Sequence, residues 1–282
     1  MITLTEVKEA RERIREHIYL SPFPYSESVS RGAGNRVFFK LENLQITGSF
    51  KERGALNRLL TLTSEERQRG VIAASAGNHG MAVAFHSQRL GIAATIVMPR
   101  HAPLIKVSSV RGYGAQALLH GEDYAAAFHE ARRIAHERAL TFIHAFNDPM
   151  IIAGQGTIGL ELHEQNSELD AVLIPVGGGG LIAGVALALK TLNPSLRVIG
   201  VQAEASPAMK VSLEQNQIAR VPAAASIADG IAVRAPGDET FPMVQRFVDE
   251  IVTVGEGEIA NAVLMLLEIE KTVAEGAAAV PL

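Results

Sequence analysis

The chain has 282 residues, 48% of them hydrophobic, which is enough to fill two packed cores. Its formal net charge of -4 and pI near 6.2 remove any electrostatic reason to expect nucleic acid or an anionic membrane as partner, leaving small-molecule chemistry. Cysteine is absent, which excludes a disulfide framework, a thiol nucleophile and a thiolate metal site.

Residues 1–16 are charged and amphipathic, without the apolar core of a signal peptide, and stretches such as 181–189 are too short to span a bilayer. A cytoplasmic protein is expected. Thr3 and Glu6 stand at capping-box spacing, and Leu4, Val7, Ala10, Ile14 and Ile18 form one helical stripe before Pro22 and Pro24. A helical pattern follows over 53–60. Segments 71–75, 92–98, 115–119 and 141–144 read as short buried strands, with helices over 81–90 and 124–138 between them. A second series predicts strands at 171–176, 197–203 and 251–254, with helices at 158–165, 181–192, 207–215 and 258–270. No repeat or long linker interrupts this order. Alternating β and α units argue for mainly parallel sheets, whose ligands bind beyond the carboxyl ends of the strands.

Three segments suit such a place. Lys51 follows Thr47-Gly48-Ser49-Phe50 at the start of a helical pattern. A lysine amine can hold an aldehyde as a Schiff base, although a solvated lysine in a first helical turn is the plainer alternative. Ser75-Ala76-Gly77-Asn78-His79-Gly80 joins a strand to a helix and can present free N–H groups to a carboxylate or phosphate. The run Gly177, Gly178, Gly179 and Gly180 ends a strand and opens a helix. Four successive glycines carry a large conformational entropy cost, so a phosphate-binding loop explains them better than a structural turn.

Other patterns carry less. Gly154-Gln155-Gly156-Thr157-Ile158-Gly159 matches the dinucleotide fingerprint G-x-G-x-x-G, but Asn147-Asp148-Pro149 stands where the strand should precede it. Ser75 resembles a hydrolase nucleophile only loosely, because Ala73 replaces the first glycine of G-x-S-x-G. None of the nine histidines forms H-E-x-x-H.

In order along nearly the whole chain, the segments Lys40-Leu41-Glu42-Asn43-Leu44-Gln45, Thr47-Gly48-Ser49-Phe50-Lys51, the 74–80 loop, Ala153-Gly154-Gln155-Gly156-Thr157, the 176–181 loop and Ile227-Ala228-Asp229-Gly230 resemble the pyridoxal-phosphate threonine and serine dehydratases, relatives of serine racemase. The resemblance implies a two-domain α/β fold like that of the tryptophan synthase β chain. Residues 1–63 and 149–282 would form the large cofactor-binding domain and 64–148 the small one. It further implies that Lys51 carries pyridoxal phosphate, Phe50 packs near its ring, Asn78 bonds its phenolic oxygen and Gly177 to Gly180 hold its phosphate. Ser75, Ala76, Gly77, Asn78 and His79 would receive the substrate carboxylate. The implied reaction is β-elimination from a small hydroxy amino acid, L-threonine giving 2-oxobutanoate and ammonia, or L-serine giving pyruvate. A homodimer or tetramer is the implied assembly.

Three departures qualify that expectation. Racemase relatives place a serine where this chain has Ala76, whose methyl group cannot exchange a proton. Gln202 and Ala208 replace the carboxylates of metal-stimulated relatives, so no metal site of that type is expected. The family also continues beyond Glu275-Gly276-Ala277 to a serine- or cysteine-glycine-glycine motif facing the pyridine nitrogen, which does not occur before Leu282. A C-terminally incomplete large domain is the resulting expectation. The alternatives are a racemase, a 3-hydroxyaspartate dehydratase, or an inactive cofactor-binding fragment.

Overall fold

The computed structural model describes residues 1–282. Four helices come first: α1 (Leu4–Ile14), α2 (Glu27–Ala33), α3 (Lys51–Leu60) and α4 (Ser64–Arg69). The predicted cap of α1 forms, with the Glu6 carboxylate accepting from Thr3 N at 2.7 Å. A first α/β series follows as β1 (Val71–Ala74), α5 (Asn78–Leu90), β2 (Ala94–Met98), α6 (Leu104–Gly112), β3 (Gln116–Leu119), α7 (Tyr124–Glu137) and β4 (Thr141–Phe142). The second comprises α8 (Pro149–Gln165), β5 (Ala171–Pro175), α9 (Gly180–Leu192), β6 (Arg197–Ala203), α10 (Ala208–Glu214), α11 (Thr240–Phe247), β7 (Glu250–Val254), α12 (Glu256–Glu268) and α13 (Gly276–Ala279).

The strands form two separate sheets, ordered β3-β2-β1-β4 and β5-β6-β7, and every strand pair within them is parallel. Each parallel crossover needs a helix, which is why the apolar strand runs alternate with helical stripes. β1 lies inside its sheet and is buried throughout, as its unbroken Val-Ile-Ala-Ala sequence demands. The largest core surrounds α9, in which Ile182 to Leu189 are all buried. Such a helix is covered on all sides and reads as apolar all round. No helix is long and apolar enough to cross a membrane.

The one substantial shift from the predicted elements is α8. It begins at Pro149, capped by Asp148 Oδ1 accepting from Met150 N at 2.7 Å, so the G-x-G-x-x-G pattern lies wholly inside a helix. Those glycines are contact points between helices. A Cβ on Gly154 would come 2.6 Å from Arg53 O, one on Gly156 2.9 Å from Gly184 O, and one on Gly159 2.9 Å from Ala188 Cβ. Periodicity did not mark α2, α4, α6, α11 and α13. α2 and α4 are short, of seven and six residues, and the exposed Leu104 and Ile105 blur the apolar face of α6.

Candidate active site

The site begins at α3, whose first residue is Lys51. Behind it, Arg53 is only 1% exposed and pairs with two carboxylates, Nη2 to Glu42 Oε1 at 2.7 Å and Nη1 to Glu161 Oε1 at 2.5 Å. Burial pushes the Glu42 carboxyl up, but the guanidinium outweighs it and holds Glu42 below its ordinary value. A buried, doubly paired arginine tethers α3 to α8 and fixes the base from which Lys51 projects.

Lys51 Nζ donates to Ala145 O at 3.0 Å and lies 5.2 Å from the centre of the Phe50 ring. Burial lowers its pKa to about 8, with Glu275 pulling weakly in the other direction. Near neutral pH an appreciable fraction of this amine is therefore uncharged. The neighbouring Phe146 connects it to the glycine loop: a Cβ on Gly178 would be driven into the Phe146 ring, and one on Gly180 would lie 2.9 Å from Phe146 Cα. Gly179 has φ +97°, and a Cβ there would meet Met209 Cε at 2.6 Å. The absent side chains thus allow protein to close tightly round the loop.

That closure leaves the loop's backbone donors unspent. The backbone N–H groups from Gly177 through Ile182 donate no hydrogen bond within the protein, although Gly178, Gly179, Gly180 and Ile182 are buried. Buried amides are almost always paired, so unpaired amides at the start of the 13-residue helix α9 fit a dianion. Thr240 Oγ1, itself buried, donates to Gly178 O at 2.6 Å and fixes the loop's peptide orientation.

The strand-to-helix turn after β1 supplies a second donor set. Ser75 Oγ accepts from Gly77 N at 3.1 Å, while the N–H groups of Ala76, Asn78, His79 and Gly80 have no acceptor within the protein. The His79 side chain turns inward, with Nε2 on Ile143 O at 3.0 Å; burial and the Lys51 charge lower its pKa to about 3. Only its backbone faces the donor set. Asn78 Nδ2 donates to Glu275 Oε1 at 2.7 Å.

Glu275 and the 144–147 segment were not singled out in the sequence. Burial, then Asp229, raises the Glu275 carboxyl, while Lys106, Asn78 and Lys51 draw it down. Its place beside a glycine was the available signal, since a Cβ on Gly276 would strike Ile227 O. His144 Nδ1 accepts from Phe146 N at 3.2 Å and Asn147 N at 2.9 Å, and burial followed by the Lys51 charge lowers its pKa to about 4. Gln202 is buried and committed to backbone, Nε2 donating to Val176 O at 3.1 Å and Oε1 accepting from Lys210 N at 2.9 Å.

A lysine of lowered pKa and two sets of unpaired backbone amides, all beyond the carboxyl ends of parallel strands, are the features an α/β enzyme needs to hold a phosphorylated aldehyde and an anion. The chain belongs to the pyridoxal-phosphate dependent enzyme family, whose model matches residues 14–282. It is 51% identical over 280 residues to an L-threonine ammonia-lyase of Thermotoga maritima, covering 99% of this chain and 70% of that one. It is 42% identical over 278 residues to a catabolic L-threonine dehydratase of Escherichia coli, covering 99% and 84%. Maize serine racemase superposes with a TM-score of 0.96 at 36% identity, covering 99% of this chain and 84% of that one. Pyridoxal phosphate is the cofactor, and the residues fit it: Lys51 suits the aldehyde and the 177–182 amides suit the phosphate.

Proposed function

We propose that this enzyme is an L-threonine ammonia-lyase, releasing 2-oxobutanoate and ammonia, with L-serine as a second substrate giving pyruvate. The observation that carries the reading is the junction at Ala145-Phe146, where Lys51 Nζ meets Ala145 O and the Gly178 and Gly180 backbone packs on the next residue, Phe146. The ammonia-lyase and dehydratase relatives support the choice of substrate. When bound, pyridoxal phosphate supplies an aldehyde for covalent attachment and a conjugated ring that accepts the electrons left by a departing α-proton.

The chain's residues divide the remaining work. The 177–182 amides anchor the phosphate, Phe50 flanks the ring, and Asn78 orients the phenolic edge. The free N–H groups of Ala76, Asn78 and His79 bind the substrate carboxylate and fix the α-carbon beside Lys51. Lys51 Nζ, with a pKa of about 8, takes the α-proton as its neutral amine. Glu275 accepts from Asn78 Nδ2, and burial raises its carboxyl above the ordinary value.

Likeness to a serine racemase raises a second reading. Ala76 opposes it, because its methyl group can neither deliver nor remove a proton at the second face. The rest of the reading is a large domain of 1–63 and 149–282, a small domain of 64–148, a cytoplasmic location and a homodimeric or tetrameric assembly. Lys51→Ala is the test: it should abolish both the absorbance of lysine-bound cofactor and 2-oxobutanoate release. Retained turnover would overturn the assignment, and a chiral assay yielding D-serine would replace it with racemisation.

A further inference from the structure

All of the buried side-chain polar atoms left without a hydrogen-bond partner come from two short segments. Thr47 Oγ1, Ser49 Oγ and Glu52 Oε2 flank Lys51, while His86 Nε2 and Ser87 Oγ belong to the second half of α5. The two helices pack on one another. Glu52 Oε1 accepts from Thr47 N, so this carboxylate closes the 47–52 turn from behind. Its other oxygen faces His86 Nε2 at 3.4 Å, and neither side chain is more than 1% exposed.

An unpaired carboxylate oxygen and an unpaired imidazole nitrogen are each strongly unfavourable away from water. One proton placed between them satisfies both. Two apolar side chains could fill the same space without any such demand, so the pair is a poor choice for packing alone. It can supply direction: with that proton in place Glu52 is held on both oxygens, and Lys51 is its immediate neighbour in the chain.

We infer that His86 carries a proton on Nε2 and donates it to Glu52 Oε2, and that this buried couple positions Lys51 by locking the 47–52 turn. His86 and Glu52 are positioning residues that act through the backbone of the turn. The inference rests on Lys51 being the cofactor-binding lysine, and its test is separate from the choice of amino-acid substrate.

Nitrogen-15 NMR of the cofactor-free 282-residue chain should show a proton bonded to His86 Nε2. A bare Nε2 overturns the inference on the unmodified protein, whatever the variants do. In stopped-flow absorbance, His86→Leu should capture pyridoxal phosphate about tenfold more slowly, a difference of one decade. Its Kd for pyridoxine 5′-phosphate, which has no aldehyde, should stay within twofold. His86→Gln, which keeps a side-chain donor, should recover most of the capture rate. Parental capture by His86→Leu, or equal loss in both variants with the pyridoxine phosphate site intact, would overturn the role. Normal capture without 2-oxobutanoate release would remove the threonine assignment and leave this inference standing.

Discussion

The two glycine-rich segments, 154–159 and 177–180, look alike as strings and do opposite things. In α8 the glycines face other helices, and the backbone amides of the helix interior are spent within it. At the start of α9 the glycines are equally crowded by protein, by Phe146, Met209 and Thr240, yet the amides remain unspent. Crowding therefore does not distinguish packing glycine from binding glycine. What distinguishes them is whether the helix has begun: an amide inside a helix is committed, and an amide in its first turn is available.

The contrast can be broken most forcefully at Gly154→Ala. Its Cβ would lie 2.6 Å from Arg53 O and Gly54 Cα, and backbone cannot swing aside, so about 3 kcal/mol should be lost. A melting scan should fall by roughly 6–12 °C, while the cofactor Kd of the folded fraction shifts less than in Gly178→Ala. A Kd shift as large as that of Gly178→Ala would place the α8 stripe in the site.

Acid should act beside the other segment, through His144, whose ring centre lies 4.6 Å from that of Phe146, and His79, bonded to Ile143 O. His144 and His79 have folded pKa values of about 4 and about 3, below their ordinary 6.5. The unfolded chain therefore binds more protons as pH falls below 6.5, and stability declines by about 1.4 kcal/mol per pH unit for each histidine until the folded pKa is reached. Urea unfolding at pH 6 and pH 5 measures the slope. His144→Asn should remove about half of it, and an unchanged slope would release the 144–147 junction from this role.

Smaller effects probe the binding loop itself. Gly178→Ala, which pushes into the Phe146 ring, should raise the pyridoxal phosphate Kd by about ten- to a hundredfold. Its melting temperature should fall less than that of Gly154→Ala. Thr240→Val removes the hydroxyl donating to Gly178 O and should weaken phosphate binding by about 1 kcal/mol, near fivefold in Kd. Affinity titrations followed by absorbance measure both. Parental affinity in both variants would make the 177–180 loop another packing stripe.

The strands and long helices were legible because burial imposes one apolar pattern on each; β6 occupies the predicted 197–203 span and α9 begins one residue before its own. Lys51 and the glycine loop stood out through their chemistry and position in the chain. The Ala145-Phe146 junction did not, because a carbonyl that receives an amine and a ring that fits over glycine are defined by location and not by residue type. Glu275 was hidden for a similar reason: a carboxyl of raised pKa looks like any other glutamate until Asn78 and Asp229 are folded around it. The start of α8 was misread because glycines weaken a helix in isolation, whereas close contact with neighbouring helices overrides that propensity.

The hydrogen bond between Asn78 and Glu275 joins residues 197 positions apart, and that between Lys51 and Ala145 joins residues 94 apart. Contacts of such span form late, after the loops between them have closed. On the ribosome, the Asn78–Glu275 contact cannot form before residue 275 has emerged, after every strand of both sheets has been made. Cofactor binding to the folded chain then draws the folding equilibrium forward by mass action.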